Sequence, residues 1–151
     1  MKAASYSIIT RSPEETIAAG RKLAAELAPP RIVLLQGDLG AGKTTLVKGI
    51  AEAMNAASTA DVTSPTFTLI HEYRGGQASV FHIDLYRIDT ERELHTLALG
   101  DLKDGNSVLL IEWGEKFPRI GFDSTIQIEH LGGEADENSR RITVSHTPAR
   151  S

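Results

Sequence analysis

Residues 37–44, "GDLGAGKT", place Gly37, Gly40, Gly42, Lys43 and Thr44 in the spacing G-x-x-x-x-G-K-[ST]. That spacing suits a polyphosphate. Glycines let successive backbone N–H groups turn inward onto phosphate oxygens, and a helix that begins at the lysine adds the positive end of its dipole. Lys43 then reaches the β and γ phosphates, while Thr44 offers a hydroxyl oxygen to magnesium. The motif is informative only between a strand and a helix, and the flanking residues supply both.

Hydrolysis of a bound triphosphate also needs a carboxylate at a neighbouring strand end, to hold the metal or order water. Asp84 in "VFHIDLY" and Glu112 in "VLLIEWGEK" each end an apolar run. Strand ends on the phosphate side of such a sheet converge on the nucleotide, so either acid can serve. Trp113 follows Glu112 directly and is the only tryptophan; it suits a core position or a place over the nucleotide. His82 shares a strand face with Asp84 and is expected to support it at most. The five histidines form no zinc pattern and are read as ordinary structural residues. Asp61, Thr63, Ser64 and Thr66 offer oxygens in a loop, and Arg87 and Arg119 are weaker candidates for stabilising charge.

The elements that must position these groups are legible around them. "SPEETIAAGRKLAAEL" has Ser12 as cap, Pro13 at the first helical position and Glu15 three residues after the cap, and is expected to run until Pro29 and Pro30. "RIVLLQ" is a short apolar run entering the glycine turn, as in a central strand covered on both faces. From Lys43, Leu46, Ile50 and Met54 recur every four residues, so a helix leaves the turn. "NAASTADVTSPT", residues 55–66, reads as a loop able to switch. "FTLIHEY" and "ASVFHIDLY" flank "RGGQ", a hairpin with Gly75 and Gly76 in the turn. "SVLLIEW" is a second buried strand, and "STIQIEH" and "RRITVSH" alternate as half-exposed strands.

With 151 residues, 40% hydrophobic and 24% charged, the chain is expected to form one domain over 1–151 with an ordinary core. Absence of cysteine excludes disulfides, thiolate metal sites and cysteine nucleophiles. A formal charge of −4 argues against a broad basic grip on nucleic acid. The N-terminal residues lack a signal peptide's apolar core, and no apolar run approaches a membrane span, so a cytoplasmic protein without membrane contact is expected.

In combination, "GDLGAGKTTLVKGIA", "VTSPTFTLIHEY", "HIDLYRI" and "IEWGEK" occur in an order that resembles the bacterial TsaE family, over nearly the whole chain. The resemblance implies a three-layer α/β fold of the P-loop NTPase type, with a central, mostly parallel sheet and an antiparallel hairpin. It implies an ATPase of tRNA threonylcarbamoyladenosine synthesis that works with TsaB and TsaD and meets tRNA through them. Its cofactors are ATP and Mg2+. Carried over by motif, Lys43 binds phosphate, Thr44 and Glu112 hold magnesium, Asp84 is the Walker-B-like acid, Trp113 lies near the nucleotide, and "VTSPTF" is the switch. The catalytic set is therefore Lys43, Asp84 and Glu112. The nucleotide-contacting set is Gly37, Gly40, Ala41, Gly42, Lys43, Thr44, Thr45, Thr66 and Trp113.

A small-molecule or nucleotide kinase shares the cradle but needs an acceptor pocket and usually an arginine-bearing lid. Fewer than forty residues follow Glu112, and they are mostly strand-like. A GTP switch would carry an Asn/Thr-Lys-x-Asp stretch, and none occurs.

Overall fold

A computed structural model describes residues 4–38, 42–56, 70–75, 78–102, 105–132 and 138–147. Strand β1 (Ala4–Thr10) leads into helix α1 (Pro13–Leu23), and β2 (Arg31–Gln36) leads into α2 (Lys43–Ala53). The hairpin strands β3 (Ile70–Arg74) and β4 (Ser79–Asp84) follow, then the short helices α3 (Glu91–Thr96) and α4 (Leu99–Leu102). Strands β5 (Ser107–Glu112), β6 (Ser124–His130) and β7 (Arg140–His146) complete the described chain.

The seven strands form one sheet in the order β1-β7-β6-β2-β5-β4-β3. Its middle, β6-β2-β5-β4, is parallel, and β7, β1 and β3 add antiparallel edges. The two central parallel strands, β2 and β5, are nearly continuous runs of Val, Ile and Leu because both faces are covered: β5 is buried at every position and β2 at its four central ones. Alternation divides the side chains between two layers. Val33, Leu35, Val108, Leu110 and Val80 face α1 and α2, where Leu23, Leu46, Val47 and Ile50 meet them. Ile32, Leu109, Ile111, Phe81 and Ile83 face the other layer, closed by Ile88 and Phe117 with Leu94, Leu97 and Leu99 against them. Each fully buried Leu or Ile here is worth about 1.5–3 kcal/mol relative to exposure.

Helix α1 starts as its sequence dictates: the Ser12 side chain accepts from the Glu15 backbone N–H at 3.1 Å. It ends earlier than the expected Pro29 and Pro30 stop. Ala24–Glu26 tightens into a 3₁₀ turn that carries Leu27 into the core. Helix α2 lies against α1 at a separation that two glycines permit. A Cβ on Gly49 would come 2.0 Å from the Ile17 carbonyl oxygen, and one on Gly20 would come 2.4 Å from the Leu46 carbonyl oxygen. That close packing fixes the axis of the helix whose first residue is Lys43.

Because β2, β4 and β5 are parallel, Gln36, Asp84 and Glu112 all end at one edge of the sheet. Ligands of open α/β sheets bind at this edge.

Candidate functional site

Helix α2 begins differently from its neighbours. Helices α1 and α3 have side-chain caps at Ser12 and Thr90 and acidic residues in their first turns. Helix α2 starts at Gly42 with no side-chain cap and no acidic first turn, which leaves its first N–H groups to an anion. Gly42 adopts φ 107, a left-handed conformation that side-chain-bearing residues disfavour, with Ile128 Cδ1 only 3.2 Å from where a Cβ would stand. Thr44 and Thr45 follow in the first turn, both half-buried. Gly40 and Ala41 lie outside the described residues.

Lys43 has little exposure and is surrounded by acceptors. Its Nζ donates to the Gly37 carbonyl oxygen at 2.6 Å and stands 3.1 Å from Glu112 Oε1. The other carboxylate oxygen, Glu112 Oε2, accepts from His82 Nε2 at 2.6 Å. Burial raises the Glu112 pKa, but hydrogen bonding and charge from His82 and Lys43 outweigh it and hold the carboxyl below its ordinary value. The acid is therefore an anion near neutral pH. Parallel pairing sets this geometry: Asp84 lies opposite Glu112 and His82 opposite Leu110 on the neighbouring strand. His82 supports Glu112 rather than the expected Asp84: the register sets it beside Leu110, on the same face of the sheet as Glu112 two residues on, and its ring reaches across the strands to that carboxylate. This arrangement eludes a reading of single strands, since it depends on the β4–β5 register.

Asp84 is buried, and its Oδ1 accepts from the Tyr86 backbone N–H at 2.8 Å, which bends the chain out of β4. Leu85 N–H donates to the Glu112 carbonyl at 3.0 Å, so the two strand ends remain joined beyond the paired acids. Trp113 leaves β5 with φ 63, a left-handed conformation uncommon outside glycine. That turn swings the indole out of the sheet to stand 5.8 Å from Lys43 Nζ and 5.2 Å from the Tyr86 ring. The indole is 37% exposed, so of its two expected settings it takes the site edge rather than the core. A cavity of about 390 Å³ opens beside it, lined among others by Gly37, Asp38, Lys43, Glu115, Gln127 and His130.

Arg87 lines a second groove with Tyr86, Asp89, Trp113 and Lys116. Arg119 sits on the exposed turn Pro118–Ile120 and is not among the groups around Lys43. Asp61, Thr63, Ser64 and Thr66, in the expected switch loop, fall outside the described residues.

The donors present fit magnesium and a polyphosphate. A carboxylate and a hydroxyl are the hard oxygen ligands that magnesium takes alongside phosphate oxygens, and the uncapped α2 terminus with Lys43 matches an anion.

The family model for "Threonylcarbamoyl adenosine biosynthesis protein TsaE" matches residues 10–142. The chain belongs to the TsaE family. In this TsaE-family chain residues 37–44 carry the G-x-x-x-x-G-K-[ST] spacing. A Bacillus subtilis (strain 168) relative, "tRNA threonylcarbamoyladenosine biosynthesis protein TsaE", is 45% identical, with 90% of this chain and 82% of that protein aligned. An Aquifex aeolicus TsaE is 34% identical, with 91% of this chain and 93% of the relative covered. Among solved structures, Bacillus subtilis YdiB superposes with a TM-score of 0.72 at 31% identity, covering 97% of this chain and 88% of its own. The P-loop, α/β fold expected of the TsaE family is thus the fold observed. Among the described residues no helix is long and apolar enough to cross a membrane.

Proposed function

We propose that this chain, as one domain over 1–151, binds ATP with magnesium and hydrolyses it to ADP and phosphate. The hydrolysis serves tRNA threonylcarbamoyladenosine biosynthesis in the cytoplasm, with TsaB and TsaD as partners and tRNA met through them. The observation that carries this reading is the Lys43–Glu112 pair, 3.1 Å apart, at the mouth of an uncapped helix in a TsaE-family chain.

In this reading Gly37, Gly40, Ala41 and Gly42 wrap backbone around the phosphates while Lys43 binds the β and γ oxygens. Thr45 and Thr66 lie along the nucleotide, and Trp113 borders it. The Thr44 hydroxyl and the Glu112 carboxylate would hold magnesium, which when bound neutralises charge on the phosphate oxygens. Asp84, opposite Glu112 in the sheet, accepts a hydrogen bond from the attacking water and orients it toward the γ phosphorus. Water's oxygen bonds to that phosphorus as the phosphorus–bridging-oxygen bond breaks; ADP leaves on that oxygen, and the proton released by the water passes to an oxygen of the departing phosphate. Turnover by the lone chain is slow because the water is incompletely positioned until partners bind.

The test is an ATPase assay on the purified chain, alone and with TsaB and TsaD. Weak activity alone, raised by the partners and lost in Lys43→Ala, is expected. Phosphorylation of an added metabolite or nucleotide by the lone chain, at about 10 per second, overturns this reading in favour of a kinase.

A further inference from the structure

His82 is fully shielded from solvent within β4, in a sheet where the neighbouring positions are almost all aliphatic. An imidazole there costs more to bury than Val or Leu would, unless its polar atoms are matched. Nε2 is matched by Glu112 Oε2 at 2.6 Å, while Nδ1 has no hydrogen-bond partner among the described residues. An ionised carboxylate has no proton to give, so the hydrogen between them belongs to Nε2. The two Glu112 oxygens therefore differ: Oε2 is pinned inside the sheet, and Oε1 faces Lys43 at 3.1 Å.

A glutamate at a strand end has several rotatable bonds and, left alone, would sample many carboxylate positions. We propose that His82 is a positioning residue that clamps Glu112 through Oε2, so that Oε1 stays presented to Lys43 and to the magnesium of the bound nucleotide. The proposal deepens the magnesium–ATP reading above and rests on it. His82 touches neither nucleotide nor metal in this scheme; it acts through the orientation of Glu112. Losing a partner that orients a metal ligand typically costs roughly 10- to 100-fold in metal affinity or activity.

The experiment compares His82→Leu, which removes the donor at similar volume, with His82→Gln, whose amide N–H extends toward the same oxygen. Calorimetry with ATP in EDTA and with ATP and magnesium separates the nucleotide's hold from the metal's. For His82→Leu, binding in EDTA that is unchanged or tighter is expected, with the magnesium needed for half-maximal ATP binding and hydrolysis raised about 10-fold or more. His82→Gln should recover most of that loss. An unchanged magnesium requirement in His82→Leu overturns the proposal. So does a parallel loss of EDTA binding in both variants, which marks a packing role.

Should His82→Leu fail to fold, nitrogen-15 NMR of the unsubstituted protein decides. A protonated His82 Nε2 whose resonance moves in Glu112→Gln supports the clamp, and a bare Nε2 overturns it. The underlying reading is tested separately by Glu112→Gln. If that variant leaves the magnesium response intact, the magnesium reading fails. If it removes the response while His82→Leu does not, only the clamp fails.

Discussion

Lys43 and Glu112 lie 3.1 Å apart, so phosphate must compete with a carboxylate for the same ammonium. The two halves of the nucleotide site therefore respond oppositely to loss of that carboxylate. In EDTA, Glu112→Gln should bind ATP about 3- to 10-fold more tightly, on the order of 1 kcal/mol, because a negative charge and a rival acceptor are gone. With magnesium present the same variant should bind more weakly. Isothermal calorimetry under both conditions reads the crossing directly, and weaker binding in both would show that the carboxylate does not compete. Trp113 offers a second test at this scale. As the only tryptophan, 5.8 Å from the Lys43 ammonium, it should change emission when phosphate draws that charge away. A nucleotide titration with flat fluorescence would place Trp113 outside the reach of binding.

Helices α1 and α2 meet through Gly20 and Gly49, where backbone stands in the space a side chain would fill. Gly49→Ala gains helix propensity but drives a methyl against the Ile17 carbonyl, and the clash dominates because that atom is backbone and cannot rotate aside. A net loss of about 2 kcal/mol is expected, lowering the melting temperature by roughly 4–8 °C. Thermal denaturation measures it, and an unchanged midpoint would mean the helices part at little cost. Edge strand β1 is tied to the 3₁₀ turn after α1 by the Tyr6 hydroxyl, which donates to Glu26, whose other oxygen meets His146 Nε2 at 2.9 Å. Burial first, then the hydrogen bond and charge of Glu26, raises the Tyr6 pKa above its ordinary value. A group whose folded pKa is raised contributes stability that is complete below the unfolded value, about 10, and disappears as pH rises through the folded one. Urea titrations above pH 10 should therefore show a steeper loss of stability in the native chain than in Tyr6→Phe. Parallel curves would deny the contact in solution.

As a whole molecule the chain should unfold in a single cooperative step. Strands β2, β4 and β5 supply alternate residues to both core layers, so neither layer can open while the other keeps its sheet intact. Coincident urea transitions by circular dichroism and Trp113 fluorescence are expected, and two separated midpoints would contradict it. By itself the sequence determined the starts of α1 and α2, and strands β2, β6 and β7 to the residue. Each follows from local chemistry: a serine cap, a glycine turn, a continuous apolar run, or alternation within about seven residues. The sequence also carried the family, because the order of short motifs survives without knowledge of their contacts. Tertiary structure decided the rest. Nothing local marks Ala4–Thr10 as a strand until β7, far along the chain, supplies its neighbour. The short α3 and α4 carry no fully buried residue and so too little periodicity to announce themselves. Strand pattern alone leaves Asp84 and Glu112 equal candidates, and sheet order separates them by setting β5 beside β2, which brings Glu112 to Lys43. The register between β4 and β5 then turned His82 from an ordinary histidine into the partner of that glutamate. Caps and turns act over a few residues, whereas strand neighbours are chosen by burial across the entire sheet.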